Sequence, residues 1–284
     1  MALQVFRSTL DMHKACEQLH MSRKRIGLVP TMGYLHAGHV SLFRYARAHA
    51  DIAAATIFVN PAQFGPNEDF KRYPRDFEHD CSLAEEAGVD IVFAPADEEM
   101  YAPGYASYVE VEHVSKIFEG AFRPTHFRGV TTIVAKLFNI VRPQTAVFGQ
   151  KDAQQVFLLK KMALDLNFNI EILVVPIVRE TDGLAMSSRN VYLSNTERQQ
   201  ALVLSQALFQ AQKRIQEGER RCGVILDEMK NIVLSGRPAQ IDYIACVDPA
   251  TFEILENALK PQILFLLAVR FGPTRLIDNI LISL

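Results

Sequence analysis

The chain has 284 residues, of which 49% are hydrophobic and 22% are charged, and its formal net charge is −2. This composition is ordinary for a globular protein, and the small net charge argues against a nucleic-acid-binding protein, which would carry a broad basic surface. The longest apolar run, residues 263–269, is far shorter than the roughly 20 residues needed to cross a bilayer, so we expect no membrane segment.

The N-terminal segment and the cysteines indicate the cell compartment. The first residues have no basic region before their apolar stretch, so we expect no secretory signal peptide. Four cysteines lie far apart, at positions 16, 81, 222 and 246. We interpret them as reduced thiols of a cytoplasmic protein.

Short apolar runs alternate with helical patterns over the first 175 residues. Strands are predicted at residues 26–29, 52–59, 91–94, 146–148 and 170–175, and helices at residues 8–21, 38–49, 77–87, 131–141 and 153–166. The alternation predicts an α/β fold, a Rossmann-like doubly wound parallel sheet with helices on both faces. Pro30 is expected to end the first of these strands, because proline donates no hydrogen bond to a sheet.

The pattern changes after residue 176. Residues 181–183 form a turn signal, and Ser194 and Glu197 have the spacing of a capping box. Helices are then predicted at residues 195–216 and 224–234, and strands at residues 241–247 and 263–269. We therefore divide the chain into an N-terminal Rossmann-like α/β domain, residues 1–176, and a smaller C-terminal α+β domain, residues 177–284.

The most informative segment is residues 26–39, where an apolar strand passes through a glycine turn into a helix. It contains the tetrapeptide H-x-G-H, with His36 and His39 at the expected helix start. Free backbone N–H groups and the helix dipole attract anions there, and histidine suits charge that builds on a phosphate. Two alternatives stay open for an isolated H-x-G-H: ordinary polar histidines at a helix start, or half of a metal site.

Polar residues also follow the other predicted strands. Asn60 and Gln63 could bind a hydroxyl or a carboxylate, although the pair by itself fits a polar turn better. After Gly149, Lys151 suits a phosphate, and Asp152 suits either a ribose hydroxyl or a helix cap. Because the carboxyl ends of parallel strands meet at one edge of a sheet, these residues are expected to form one site.

The segment at residues 186–190 adds two hydroxyls and a guanidinium, a set that suits phosphate oxygens, with a solvated turn as the alternative. Residues 126–129, H-F-R-G, place a further cation beside a glycine. The sequence contains neither G-x-G-x-x-G nor G-x-x-x-x-G-K-[ST], so a nucleotide site here would use neither of those phosphate-binding loops.

Five blocks of this chain resemble the pantoate–β-alanine ligase (pantothenate synthetase) family, and they stand in the order of that family. They are P-T-M-G-x-L-H-x-G-H at 30–39, F-V-N-P-x-Q-F at 58–64, H-F-R-G-V at 126–130, F-G-x-K-D-x-Q-Q at 148–155 and R-E-x-D-G-L-A-M-S-S-R-N at 179–190. The H-x-G-H and the serine-rich loop also resemble the wider nucleotidylyltransferase superfamily, including class I aminoacyl-tRNA synthetases.

The resemblance implies an ATP-dependent ligase that joins (R)-pantoate to β-alanine. In such an enzyme the pantoate carboxylate attacks the α-phosphorus of ATP, which gives pantoyl adenylate and pyrophosphate, and the amine of β-alanine then displaces AMP. The resemblance also implies a homodimer, Mg²⁺ that accompanies ATP, and a C-terminal domain that closes over the ATP site.

The resemblance assigns roles residue by residue. His36, His39 and Lys151 would be catalytic and contact the ATP phosphates, with His39 as a proton donor. Gln63 would bind pantoate and β-alanine, and Gln155 would bind pantoate. The other implied ATP-binding positions are Met32, Gly33, Tyr34, Leu35, Ala37, Gly38, Gly149, Gln150, Asp152, Val178, Met186, Ser187, Ser188 and Arg189.

Three further assignments accompany these. Asn60 is expected to bind substrate beside Gln63, and Asp80 is expected to lie near the Mg²⁺. Gln150 stands where the family pattern has glutamate, which changes the local charge.

Two other functions stay open at this point. A nucleotidylyltransferase of the same superfamily could use another acceptor, although the neutral amides of Gln63 and Gln155 suit a hydroxy acid better than a phosphorylated acceptor. An ATP-responsive binding protein without catalysis would not need both histidines and Lys151.

Overall fold

The computed structural model describes residues 2–66, 68–256 and 260–284. The strands are β1 (Gln4–Phe6), β2 (Ile26–Thr31), β3 (Ile52–Ile57), β4 (Ile91–Phe93), β5 (Thr145–Gly149), β6 (Glu171–Val175), β7 (Gln240–Val247), β8 (Gln262–Phe271) and β9 (Thr274–Ser283). The α-helices are α1 (Thr9–Met21), α2 (Ala37–His49), α3 (Phe77–Glu86), α4 (Asp97–Met100), α5 (Glu119–Phe122), α6 (His126–Val141), α7 (Ala153–Asp165), α8 (Asn195–Gln200), α9 (Val203–Gln216) and α10 (Cys222–Ser235).

Two compact units can be distinguished by their internal contacts. Unit 1 contains the chain up to Gly149 together with Leu158–Pro176, and unit 2 contains Gln150–Phe157 together with Ile177–Leu284. The segment 150–157, which our sequence-based division places in the first domain, thus belongs to unit 2 by its contacts. Among the described residues, no helix is both long enough and apolar enough to cross a membrane.

Unit 1 is built on a six-stranded parallel sheet in the order β1-β4-β3-β2-β5-β6. The predicted α/β fold with a parallel sheet is confirmed. The strand order changes direction between β2 and β5, and in open α/β sheets ligands bind outside the carboxyl ends of the strands at such a point. The H-x-G-H turn follows β2, and Gly149 is the last residue of β5.

The core of unit 1 explains why β2 and β3 are continuous apolar runs. Val29 and Ala55 pack with Phe43 and Ala46 of α2 and with Ala84 of α3 in one cluster. Neighbouring strand residues point to the opposite side of the sheet and are buried as well. A strand covered on both faces loses the polar alternation of a half-exposed strand.

Unit 2 contains a three-stranded antiparallel sheet in the order β7-β8-β9. Its core combines apolar residues of β8 with those of α9 and α10, among them Phe265, Leu208 and Ile225. Helices beside an antiparallel sheet make this an α+β unit, as predicted.

Several elements differ from the sequence-based expectation. The helix expected over residues 195–216 is divided into α8 and α9, because Leu202 and Leu204 hydrogen-bond three residues back rather than four. The capping box of α8, Ser194 with Glu197, is confirmed. Helix α6 begins at His126, five residues earlier than its apolar pattern indicated.

Pro30 does not end β2. It is opposite Thr56 of β3, and the strand continues to Thr31. β2 pairs with β5 through Gly27 and Leu28, before the proline. At Pro30, β2 therefore has a neighbouring strand on one side only. A sheet tolerates proline at such a position, because the missing N–H is not needed for a second neighbour.

Candidate active site

The turn between β2 and α2 gives the two histidines a defined geometry. Gly33 and Tyr34 have φ values of +81° and +51°, in the left-handed region that reverses the chain. His36 is the N-cap of α2, and its Nδ1 accepts a hydrogen bond from the Gly38 N–H at 3.1 Å. His39 Nδ1 accepts one from the His36 N–H at 3.3 Å, which completes a capping box made of two imidazoles.

These caps determine which ring nitrogen carries the proton. Because both Nδ1 atoms accept backbone N–H groups, each neutral ring carries its hydrogen on Nε2. The two ring centroids are 4.1 Å apart. The N-terminus of a 13-residue helix thus presents backbone dipoles and two imidazoles together, an arrangement suited to a phosphate.

Asp80 holds the same turn from α3. Its two carboxylate oxygens accept hydrogen bonds from the backbone N–H groups of Tyr34 at 2.8 Å and Leu35 at 2.7 Å. A Cβ on Gly33 would lie 2.7 Å from an Asp80 oxygen, so the close approach requires glycine. Burial raises the pKa of Asp80, and the two N–H bonds oppose that rise.

Asp80 was expected near Mg²⁺. In the structure each of its oxygens already accepts a backbone N–H, and the part of the chain that is described has no group of three or more His, Cys, Asp or Glu that could hold a metal. This geometry supports a positioning role for Asp80.

Asn60 and Gln63 form the second part of the site in unit 1. Asn60 caps the short 3₁₀ turn Pro61–Gln63, so the polar turn that the sequence suggested is present. Its Nδ2 also donates to Gln63 Oε1 at 3.0 Å, and Gln63 Nε2 donates to Met32 Sδ at 3.0 Å. The structure therefore brings Met32, Asn60 and Gln63 together.

The H-F-R-G block holds the backbone of Gln63. His126 is buried, and its Nδ1 lies 3.0 Å from the Gln63 carbonyl oxygen. A Cβ on Gly129 would lie 2.3 Å from the Ala62 carbonyl oxygen, so α6 approaches this turn at a distance that only glycine permits. The H-F-R-G block, in which the sequence suggested a further cation beside a glycine, thus contacts the turn that carries Gln63.

Tyr101 was not identified from the sequence. Tyr101 lies at the C-terminal end of α4, and its hydroxyl donates a hydrogen bond of 2.7 Å to Asn60 Oδ1. The two residues are 41 positions apart, and a single tyrosine in a polar segment gives no periodic signal, so no sequence pattern would have revealed the contact.

In unit 2, Lys151 lies in the 3₁₀ turn Gln150–Asp152. Asn279 of β9 holds this turn: its Nδ2 donates to the carbonyl oxygens of Gln150 at 3.0 Å and Lys151 at 2.8 Å. Gln150 Nε2 in turn donates to Asn279 Oδ1 at 3.0 Å. Gln150 is therefore part of the support of this turn.

The loop that carries Ser187 is also anchored within unit 2. Met186 N–H donates to the Val178 carbonyl at 3.0 Å, and Ser187 Oγ accepts from Arg189 N–H at 3.2 Å. Lys151 and Ser187 line one small pocket, together with Asn190 and Asp278. Two of the expected phosphate-binding residues thus meet in one place.

An ion pair between Arg179 and the buried carboxylate of Asp278 supports this pocket. Arg179 contacts both carboxylate oxygens of Asp278, at 2.6 and 3.0 Å. Burial raises the pKa of Asp278, and the Arg179 guanidinium opposes that rise.

Gln155 is half-buried on α7, and Asp152 is exposed. Their expected roles in pantoate and ribose binding stay predictions.

Comparison with known proteins identifies relatives over the whole chain. Residues 4–281 match the family model described as pantoate-beta-alanine ligase. A pantothenate synthetase of Chloroherpeton thalassium is 51% identical over 284 residues, covering 99% of this chain and 100% of the relative. One of Acetivibrio thermocellus is 56% identical over 258 residues, covering 91% and 92%.

Solved structures agree with this result. Pantothenate synthetase from Thermus thermophilus superposes with a TM-score of 0.92 at 44% identity, covering 98% of both chains. Pantoate-beta-alanine ligase from Francisella tularensis, complexed with beta-gamma ATP and beta-alanine, has a TM-score of 0.81 at 34% identity and covers 99% of this chain and 98% of its own.

Proposed function

This chain belongs to the pantoate–β-alanine ligase family, and we propose that the residues described above carry out the reaction of that family. The chain is an ATP-dependent ligase that condenses (R)-pantoate with β-alanine to give pantothenate. The observation that carries this conclusion is the match of residues 4–281 to the family model.

The reaction proceeds in two steps. A carboxylate oxygen of pantoate attacks the α-phosphorus of ATP, and the bond from that phosphorus to the bridging oxygen breaks, which releases pyrophosphate. The amine of β-alanine then attacks the acyl carbon of pantoyl adenylate, AMP leaves, and the nitrogen loses a proton. Adenylation supplies a leaving group that a free carboxylate lacks, so the protein mainly positions the reactants and stabilises charge.

The H-x-G-H turn is the proposed site for the phosphates. Since Nδ1 of each ring accepts a backbone N–H, Nε2–H is the donor of the neutral ring in both His36 and His39. We assign to His39 Nε2 the hydrogen bond that strengthens as negative charge develops on the phosphate. Around it, Met32, Gly33, Tyr34, Leu35, Ala37 and Gly38 are proposed to lie against the nucleotide.

The amides are the proposed pantoate site. Gln63 presents its NH₂ group beside Met32, and an amide donor suits a hydroxyl or carboxylate oxygen. Asn60 supports Gln63, and Gln155 is proposed as a second amide for pantoate. The complex of the Francisella tularensis relative with beta-gamma ATP and beta-alanine supports binding of ATP and β-alanine in this chain.

Lys151 and the serine-rich loop are proposed to bind the rest of ATP. Lys151 would neutralise phosphate charge, and Ser187, which lines the same pocket, would supply a hydroxyl. The further residues proposed for ATP are Gly149, Gln150, Asp152, Val178, Met186, Ser188 and Arg189.

Mg²⁺ is proposed to enter with ATP, held mainly by phosphate oxygens and water, which is its usual coordination in nucleotide sites. The two N–H bonds to Asp80 fit this arrangement better than a metal site built from protein carboxylates. A homodimer and a cytoplasmic location are proposed from family membership.

AMP production tests the function. Purified protein is incubated with Mg·ATP and pantoate, with and without β-alanine, and AMP is measured by a coupled assay. We expect sustained AMP release only when both acceptor substrates are present. Pyrophosphate release with a phosphorylated acceptor, and none with pantoate, would instead indicate a sister nucleotidylyltransferase.

A further inference from the structure

We propose that Tyr101 is a positioning residue which, through its hydrogen bond to Asn60, reinforces the orientation of the Gln63 amide in which the NH₂ group faces bound pantoate. The proposal rests on the proposed role of Gln63 in pantoate binding. It adds a residue that lies outside the five sequence blocks and that acts on Gln63 through Asn60.

The orientation of Asn60 follows from its backbone neighbours. The Gly129 carbonyl can only accept a hydrogen bond, and it lies 3.1 Å from Asn60 Nδ2. The Ala62 N–H can only donate, and it lies 3.3 Å from Asn60 Oδ1. If the amide were reversed, its oxygen would face the Gly129 carbonyl and its NH₂ group would face the Ala62 N–H, and neither hydrogen bond could form. Only the orientation described here satisfies both neighbours.

Asn60 transmits this orientation to Gln63. Asn60 Nδ2 donates to Gln63 Oε1 at 3.0 Å, so the Gln63 NH₂ points the other way, towards Met32 Sδ at 3.0 Å. A thioether sulfur is a weak acceptor, and the NH₂ group carries two hydrogens. The NH₂ group can therefore donate to an oxygen of the substrate.

The Tyr101 hydroxyl makes a short hydrogen bond to Asn60. It lies 2.7 Å from Asn60 Oδ1, against 3.3 Å for the Ala62 N–H. Burial raises the pKa of Tyr101, so the phenol keeps its proton and stays a donor. Without this hydroxyl, Asn60 Oδ1 would keep the longer bond, and the amide pair would be less firmly oriented.

An aromatic cluster holds the Tyr101 ring. It packs edge-on against Tyr105, with centroids 5.0 Å apart, and lies 6.4 Å from the Phe58 ring. Lys136 Nζ lies over the Tyr105 and Tyr101 rings, at 4.6 and 5.8 Å from their centroids. The ring is therefore kept in place by contacts that do not involve its hydroxyl, and Tyr101→Phe should preserve the packing.

The test compares Tyr101→Phe with Tyr105→Phe. Both remove one phenol hydroxyl from the same cluster, and the hydroxyl of Tyr101 is the one that donates to Asn60. We expect Tyr101→Phe to raise the KM for pantoate ~5- to 10-fold, the effect of weakening one buried hydrogen bond. The KM for ATP should stay within about twofold, and Tyr105→Phe should leave both values unchanged, since the bond to the amide pair is kept.

A third variant tests the orientation itself. Asn60→Asp cannot donate to Gln63 Oε1, so the Gln63 amide would turn its carbonyl towards the substrate. We expect a loss for pantoate larger than that of Tyr101→Phe, again with ATP binding retained. Thermal unfolding of each variant shows whether the protein is folded at the assay temperature.

The outcomes separate this inference from the proposed function. Absence of AMP formation by the wild-type enzyme would overturn the function. An active wild type whose Gln63→Ala variant loses pantoate turnover, together with an unchanged pantoate KM in Tyr101→Phe, would overturn only the role of Tyr101. Equal increases in the KM values for ATP and pantoate would also contradict it, because that pattern indicates a general structural defect.

Discussion

At the scale of single residues, His39 combines a structural bond with the proposed chemistry. Its Nδ1 caps α2, and its Nε2 is the proposed donor to phosphate. We predict that His39→Ala lowers kcat/KM ~10²-fold, the usual cost of losing one charge-stabilising donor or general acid. Steady-state AMP formation measures this effect.

The matched control for that variant is His49→Ala at the other end of the same helix. His49 stacks on Tyr45 at 4.1 Å and contacts the Tyr45 carbonyl at 2.8 Å. Both contacts are with a residue of the same helix end, so removal of the His49 side chain should leave turnover unchanged. Full activity of His39→Ala would remove His39 from the mechanism.

Asp80 allows a direct comparison of positioning with metal binding. Asp80→Ala leaves the N–H groups of Tyr34 and Leu35 without their acceptors, and we expect a loss of about 1–3 kcal/mol in stability and a higher KM for ATP. If Asp80 only positions the turn, the Mg²⁺ concentration for half-maximal activity should match that of the wild type. A marked increase in that concentration would instead identify Asp80 as a metal ligand.

At the scale of elements, β9 supports the turn that carries Lys151. Asn279→Ala removes two bonds to the carbonyls of Gln150 and Lys151. We predict a ~10-fold increase in the KM for ATP, as expected for the loss of buried hydrogen bonds, and little change in the KM for pantoate.

Ser283→Ala on the same strand is the control, because Ser283 is exposed and lies at the far end of β9. An equal effect of both variants would mean that β9 acts through general stability. An unchanged KM for ATP in Asn279→Ala would show that Lys151 does not need this support.

The turn between α9 and α10 has a pH-dependent contribution to stability. Hydrogen bonds from the Arg221 side chain and from backbone N–H groups lower the pKa of Glu219 from 4.5 to about 2. A carboxylate whose pKa is depressed in the folded state stabilises the fold above its ordinary pKa, and that contribution disappears as the pH falls towards the lower value.

Glu219→Gln should therefore lower Tm at neutral pH, and the difference from the wild type should shrink as the pH falls from 4.5 to about 2. The effect should be small and weaker in high salt, because the arginine is exposed. Glu217→Gln, which removes side-chain ion pairs at 3.3 and 3.8 Å, is the control. A pH-independent difference for Glu219→Gln would contradict the assignment.

At the scale of the whole molecule, bound nucleotide should stabilise the chain. Mg·ATP at 100 times its Kd should add about 2.7 kcal/mol to the free energy of unfolding, since a ligand that binds only the folded state does so by mass action. Thermal unfolding with ATP and EDTA, with Mg²⁺ alone, and with Mg·ATP measures this. Mg²⁺ alone should give no shift if phosphates and water hold the metal, whereas stabilisation by Mg²⁺ alone would indicate a metal site formed by the protein.

The sequence by itself determined the fold class, most element positions and the family. These properties depend on local patterns: apolar runs at β2 and β3, the helical stripe of α2, glycines at turns, and five short blocks whose residues are close in the chain. Each of these patterns can be recognised in the sequence because the residues that form it are close together in the chain.

Only the tertiary structure decided how the site is supported. Asp80 contacts a turn 45 and 46 residues away, Tyr101 reaches Asn60 across 41, and Asn279 reaches Gln150 and Lys151 across 129 and 128. Strand β9 itself was not predicted, because the buried polar residues at 278 and 279 interrupt its apolar pattern. A buried polar side chain gains its favourable energy from a partner that is distant in the chain, so its role appears only once folding has placed the two together.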